Sequence, residues 1–103
     1  MIRVTALYEN KNTFNWDYYT TRHLPMVRAK LTPLGLLRIE SDKGLFALPP
    51  GAATPYQTIT HLYFETLEAF QQALAQEAPE ILADTPNFTD APMTIVVNEV
   101  IVP

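Results

Sequence analysis

The sequence predicts an α+β domain of β-α-β-β-α-β order, in which two helices cover one face of a four-stranded antiparallel sheet. Three observations predict it. Residues 2–8 and 56–64 alternate with period two. Residues 16–31 carry large side chains every three or four positions, as one face of a helix does. The last stretch, from Met93 to Val102, is apolar on both faces.

The elements follow in order. Ile2, Val4, Ala6 and Tyr8 alternate with Arg3, Thr5 and Leu7 in the first strand, and the polar run Glu9–Asn15 is a loop. A helix starts near Phe14 with Asn15 as N-cap, and Trp16, Tyr19, His23, Val27 and Leu31 share one face. Pro25 lacks an N–H and disfavours α geometry at Leu24, so a kink or restart is expected there; Pro33 ends the element. Leu34–Gly44 is the second strand, and residues 45–55, with Pro49-Pro50-Gly51 and Pro55, form a loop. Tyr56–Phe64 is the third strand. Gln57, Ile59, His61 and Tyr63 point one way, and Thr58, Thr60, Leu62 and Phe64 the other. Thr66 caps a helix carrying Leu67, Phe70 and Leu74, with Glu68 suiting its first turn. Pro79 starts a separate helical piece over residues 80–84, Pro86–Asp90 is a loop, and Met93–Val102 is the fourth strand. This is the ferredoxin-like split pattern.

Length and composition bound the rest. The 103 residues make one domain, residues 1–103. Such a chain buries only roughly two-thirds of its unfolded surface, yet 48% of its residues are hydrophobic and 17% charged. With a fourth strand apolar on both faces, this predicts that a second copy covers the open sheet face, giving a homodimeric barrel of two sheets. Seven basic and eleven acidic residues give a net charge of −4 with no basic stripe, so no nucleic-acid partner is expected. The absence of cysteine excludes disulfides and a thiolate nucleophile and suits a reducing compartment. The alternating N-terminus is too short for a secretory leader, and no apolar run reaches membrane-spanning length. The expectation is a soluble, cytoplasmic protein without a membrane partner.

His23 leads the candidates for chemistry. It follows Tyr19 by four residues and Trp16 by seven, on the face that should meet the sheet. A helix break before Pro25 would place His23 at the negative end of a helix dipole, raising its pKa, while burial lowers it; a value near neutrality suits a general acid or base. The structural alternative is a helix-ending histidine whose ring bonds a free carbonyl. Tyr19 either bonds a substrate oxygen, orients His23, or is a core tyrosine with its hydroxyl at the edge. Trp16 is core or ligand platform, and Tyr18 lies about 100° round the helix from Tyr19. His61 and Tyr63 share a strand face that meets either the helices, joining His23, or a partner sheet; period two does not say which. Asn87 and Asp90, on the loop before the last strand, are placed to polarise a histidine, or form a turn-stabilising pair. His23, Tyr19 and Asp90 are thus the candidate catalytic set, and Trp16, Tyr18, His61, Tyr63 and Asn87 the candidate pocket. His23, His61 and Asp90 have the residue types for a metal but no ligand spacing, so no metal is expected. Gly35, Gly44 and Gly51 are too far apart for a dinucleotide fingerprint, and no P-loop is present.

The stretch Asp17-Tyr18-Tyr19-Thr20-Thr21-Arg22-His23-Leu24-Pro25 resembles the EthD-like family's Asp-Tyr-Tyr-x-x-x-His-x-Pro signature. The resemblance extends to His61-Leu62-Tyr63-Phe64 with Leu67-Glu68-Ala69-Phe70, and to Asp84-Thr85-Pro86-Asn87-Phe88-Thr89-Asp90. It implies the dimeric α+β barrel of the ferredoxin-like superfamily. The family's name comes from a protein linked to degradation of a fuel additive, ethyl tert-butyl ether. Related barrels include cofactor-free monooxygenases, lactone isomerases, polyketide cyclases and haem-binding enzymes, with pockets between sheet and helices. The resemblance therefore implies a cofactor-free small-molecule enzyme of catabolic or secondary metabolism, of isomerase, cyclase or oxygenase type, with a proton-shuttling His23. The alternatives are a non-catalytic ligand-binding or accessory protein in xenobiotic degradation, and a purely structural dimer. Fold is implied more firmly than reaction.

Overall fold

In the computed structural model, which describes Met1–Pro103, four strands form one antiparallel sheet in the order β2-β3-β1-β4. They are β1 (Ile2–Glu9), β2 (Leu36–Lys43), β3 (Tyr56–Phe64) and β4 (Met93–Glu99). Register decides which side chains share a face. Val4 lies opposite Leu62 and Val97, and Ala6 opposite Thr60 and Ile95. These residues, with Tyr8, Thr58 and Phe64, face the helices. Arg3, Thr5, Ile59, His61 and Tyr63 face away.

The first helical segment runs from α1 (Trp16–Tyr18) through a wide π turn (Tyr19–His23) into α2 (Leu24–Leu31) and a 3₁₀ turn (Thr32–Leu34). Asn15 caps it as expected, its side chain accepting from the Tyr18 N–H at 3.0 Å. At Pro25 the helix widens without breaking: the Leu24 N–H reaches back five residues to the Tyr19 carbonyl. Proline has no N–H for the regular bond, and the wider turn absorbs the gap. Gly35 then takes φ +108°, where a Cβ would stand 3.3 Å from that of Ala69, so β2 begins at Leu36 rather than Leu34.

The second helix, α3 (Leu67–Ala83), is one piece with Pro79 inside it, not two. One forfeited backbone bond is outweighed because the turns beyond Pro79 bury Ile81 against the core and pair Glu80 with Lys30. Thr66 caps it by accepting from the Ala69 N–H. Its inner face is Phe70 and Ala73; Leu67 and Leu74 of the expected stripe are exposed.

β4 stops at Glu99, short of Val102. The ladder ends at Ile2 opposite Glu99, and beyond it the Val100 N–H bonds the Met1 carbonyl. Its apolar side chains Met93, Ile95 and Val97 lie on the helix face, and Val96 stands between Thr94 and Asn98 on the other. The open face is therefore largely polar, which the alternation alone did not show.

Two cores hold the layers together. Val4, Val27, Leu31, Leu36, Phe64, Phe70 and Ala73 form the first; Tyr8, Phe14, Tyr19, Leu24 and Phe88 form the second, beside the π turn. The molecule is 19 Å across its thinnest direction, the depth of one sheet and one helix layer.

Candidate functional site

The π turn carries Tyr19 and His23 onto the sheet-facing side, both buried at its two ends. Their rings stack at 5.2 Å and 15°, and Phe88 closes on the imidazole from another side at 4.5 Å. Asp84, the C-cap of α3, meets His23 Nδ1 with Oδ2 at 2.9 Å. Its other oxygen accepts from the Tyr18 hydroxyl at 2.7 Å and the Asn87 amide at 2.8 Å. A short 3₁₀ turn (Thr85–Asn87) bends the chain so that Asn87 reaches back to Asp84.

Burial pushes the Asp84 carboxyl up, but the bonds from Asn87, Tyr18 and His23 outweigh it and hold the group below its ordinary range. Ionised, it only accepts, so His23 Nδ1 must carry the proton. Burial lowers the His23 pKa below its usual value, and the bond and charge of Asp84 recover only part of that. At neutral pH the ring is thus neutral, with the lone pair on Nε2. No protein group bonds Nε2, and no fully buried side-chain nitrogen or oxygen lacks a partner, so Nε2 is open to the adjoining cavity.

That cavity lies between sheet and helices. At its polar end are Tyr8, Tyr19, His23, Thr60 and Thr85; the rest of its wall is aliphatic, including Val4, Leu62, Ile81 and Ile95. A second hollow continues it under α3, sharing those four aliphatic residues and ending at Phe64, Phe70 and Ala73. The space open to water centres is about 80 Å³ in the first and 100 Å³ in the second. An apolar cavity of about 150 Å³ admits a benzene-sized guest. Leu74, Leu82 and Ile95, which line the hollows from α3 and β4, are 45–46% exposed. No Lys, Arg, Asp or Glu lines either hollow.

A chain of hydroxyls leads out along the helix-facing side of the sheet to its edge strand, β2. The Tyr19 hydroxyl is 2.6 Å from Thr60 Oγ1, which is 2.8 Å from Ser41 Oγ, and Ser41 is exposed. Tyr8 lies edge-on to Tyr19 at 5.8 Å. Burial raises the pKa of both phenols, so both stay protonated.

The expected residues fall into three groups. His23 and Tyr19 are together at the cavity. Trp16, Tyr18 and Asn87 adjoin it without lining it: the Trp16 N–H donates to Thr58 Oγ1 at 2.8 Å beneath the Lys43 ammonium, and the other two hold Asp84. Asp90, His61 and Tyr63 are elsewhere. Asp90 is exposed on its loop, and Asp84 occupies the place expected of it. His61 and Tyr63 project from the open face, because Thr58, Thr60, Leu62 and Phe64 are the β3 residues that meet the helices. There His61 Nδ1 pairs with Thr5 Oγ1 at 2.9 Å, and the Tyr63 hydroxyl accepts from Arg3 and donates to Glu40. The expected carbonyl partner for His23 is likewise replaced by a carboxylate, because Asp84 at the end of α3 reaches Nδ1. Sequence reasoning missed Asp84, Thr60 and Phe88. Asp84 was within reach of it, standing in a block that carries the family resemblance, but an expected break at Pro79 hid where α3 would end. No group of three or more Asp, Glu or His side chains is placed to hold a metal. No helix is long and apolar enough to cross a membrane.

Fold and cavity define a ferredoxin-like α+β domain with a small, largely apolar chamber between sheet and helices. The chain belongs to the EthD family, whose domain profile matches residues 12–92. It is similar over its length to an EthD-like protein of Ralstonia eutropha JMP134, at 30% identity and a TM-score of 0.91, covering 98% of this chain and 92% of that one. An ethyl tert-butyl ether D (EthD) family protein of Bacillus halodurans matches at 23% identity and TM-score 0.76, covering 98% and 99%. SnoaB of Streptomyces nogalater, a cofactor-independent oxygenase, shares the fold at 10% identity and TM-score 0.67, covering 99% and 93%. No curated protein matches the chain.

Proposed function

We propose that the protein binds an uncharged, largely apolar small molecule in this chamber and moves a proton on and off it through His23 Nε2, without a cofactor. The observation that carries this reading is the buried His23–Asp84 pair, whose free nitrogen opens on the only polar end of an aliphatic chamber. Asp84 fixes the ring and its tautomer, as the carboxylate does in histidine-based proton transfer generally. The uncharged lining offers no counter-ion for a carboxylate or phosphate, and the small water-accessible space favours one or two rings. Taking a proton from carbon leaves an electron pair that can return elsewhere, close a ring or react with oxygen. Isomerisation, cyclisation and cofactor-free oxidation all begin this way, and the shared fold of SnoaB is consistent with the last.

The test is a nitrogen-15 NMR titration of His23 with a panel of ring ketones, lactones and phenols, repeated for turnover with His23→Ala. A ligand that shifts the His23 signals and loses turnover in the variant supports the enzyme. A ligand that binds both forms with no turnover in either supports a non-catalytic binder. No response from any ligand refutes the site. The proposal includes a homodimer with the two open sheet faces together; sedimentation as a monomer at micromolar concentration would exclude it.

A further inference from the structure

The hydroxyl chain does more than fill the second wall of the chamber. Tyr19, Thr60 and Ser41 are linked by two hydrogen bonds, and in each link either oxygen can be the donor. Three hydroxyls own three protons, and two links use two. The third is left at one end or the other. With the chain polarised inward it stands on Tyr19 and is offered to the chamber; polarised outward it stands on Ser41 and is offered to water. In the outward state Tyr19 presents only lone pairs inward. The Tyr8 phenol adjoins Tyr19 on this wall and, being a hydroxyl too, gives or accepts at the same end of the chain; the wall carries no ammonium, guanidinium or amide side chain.

We infer that the ligand is an enolisable carbonyl compound, and that its oxygen docks at the Tyr19 end of this reversible chain. A wall that switches between donor and acceptor suits an oxygen that is a bare acceptor as a ketone and a donor as an enol. The inference rests on reading the chamber as the site where His23 takes a proton. His23 stacks on Tyr19, so base and oxygen site adjoin. When the α C–H breaks, its proton goes to His23 Nε2 and its electron pair becomes the C=C bond. The carbonyl π pair moves to oxygen, which takes the Tyr19 proton. Tyr19 is refilled from Thr60, Thr60 from Ser41, and Ser41 from water; the hydroxide so formed is neutralised when His23 releases its proton. Thr60 and Ser41 are positioning residues, since they act through Tyr19.

The probes are 2-indanone and indane, equal in size but differing in the carbonyl. Affinities are read by Trp16 fluorescence, and exchange of the ketone's α-protons into heavy water by NMR. The wild type is expected to bind 2-indanone about fivefold to tenfold more tightly than indane, the worth of one hydrogen bond. Thr60→Val should erase that preference, Thr60→Ser should restore it, and Ser41→Ala should slow α-exchange. Exchange should vanish in His23→Ala with the oxygen preference intact. Equal affinity for the two probes in the wild type, or a preference that survives Thr60→Val, overturns the hydroxyl assignment even if His23-dependent exchange is seen. A Thr60-dependent preference without exchange in the wild type supports the oxygen site and refutes the proton transfer.

Discussion

Replacing Asp84 by Asn changes one oxygen to an NH₂ and leaves the side chain's shape alone, so it separates charge and proton placement from packing. In the native chain Asp84 Oδ2 takes the proton of His23 Nδ1 at 2.9 Å, while Oδ1 serves Tyr18 and Asn87. An asparagine that keeps its oxygen toward Tyr18 and Asn87 must turn its NH₂ toward Nδ1. That nitrogen then becomes the acceptor and the proton moves to Nε2, where the base is needed. The loss is one charge-assisted bond between groups 5% and 18% exposed, worth about 2 kcal/mol. For a domain of this size the melting temperature should fall by roughly 10 °C. The His23 pKa should drop further, because burial still depresses it and the opposing carboxylate is gone. Any turnover should fall by about 10²–10⁴, the usual worth of a positioned general base. Long-range nitrogen–proton correlation spectra read the tautomer directly. A proton on Nε2 in the wild type, or an unchanged tautomer in Asp84→Asn, would refute the assignment.

Two further outcomes test the energetics. His23 sits below its unfolded pKa of 6.5. Between the two values the unfolded chain binds a proton that the native chain does not, so stability is complete above about pH 6.5 and declines as pH falls into that window. Asp84 adds a second loss below its ordinary 3.8. Urea midpoints at pH 7 and pH 5 should differ in the wild type and converge in His23→Gln; equal slopes in both would assign the loss to other groups. Phe64 is 0% exposed and packs on Phe70 at 5.6 Å. Phe64→Ala should cost about 3–5 kcal/mol in chemical denaturation; a loss under about 1 kcal/mol would mean the core collapses around the gap.

Element order, strand faces and both helix caps were legible because each is a local effect: period two, period 3.6, and a side-chain oxygen beside a free N–H. Tyr19 and His23 were legible as a pair because four residues of helix superpose them. What tertiary context alone decides was not. Period two separates His61 and Tyr63 from Thr58 and Thr60 but does not say which set meets the helices. The apolar pull of Ile59 and the polar threonines argues the wrong way. Trp16 and Tyr19 spend their polar atoms on those threonines, so the hydroxyl-bearing face is the inner one. Asp84 against Asp90 turned on whether α3 survives Pro79, a balance between one lost bond and the packing of Ile81 that no local rule weighs.

The π turn was partly written in the sequence, and its origin can be tested. Tyr19, His23, Val27 and Leu31 are all buried at strict intervals of four. At about 100° per residue each interval overshoots a full turn by about 40°, so three intervals drift about 120°, too far for one narrow stripe. One extra residue in a wide turn removes about 100° of that drift. Two causes compete: Pro25, which cannot make the regular bond, and the packing of Tyr19 and His23. Pro25→Ala supplies the missing N–H, worth about 1 kcal/mol if the helix regularises. Regularising would turn Trp16–His23 about 100° against α2. It would break the Trp16–Thr58, Tyr19–Thr60 and His23–Asp84 bonds, about 4 kcal/mol together before any loss of burial. Packing should therefore win: the variant should keep its proton on His23 Nδ1, donated to Asp84, and lose less than about 1 kcal/mol. A His23 ring that becomes exposed in Pro25→Ala would show instead that the proline, not the site, holds the turn open.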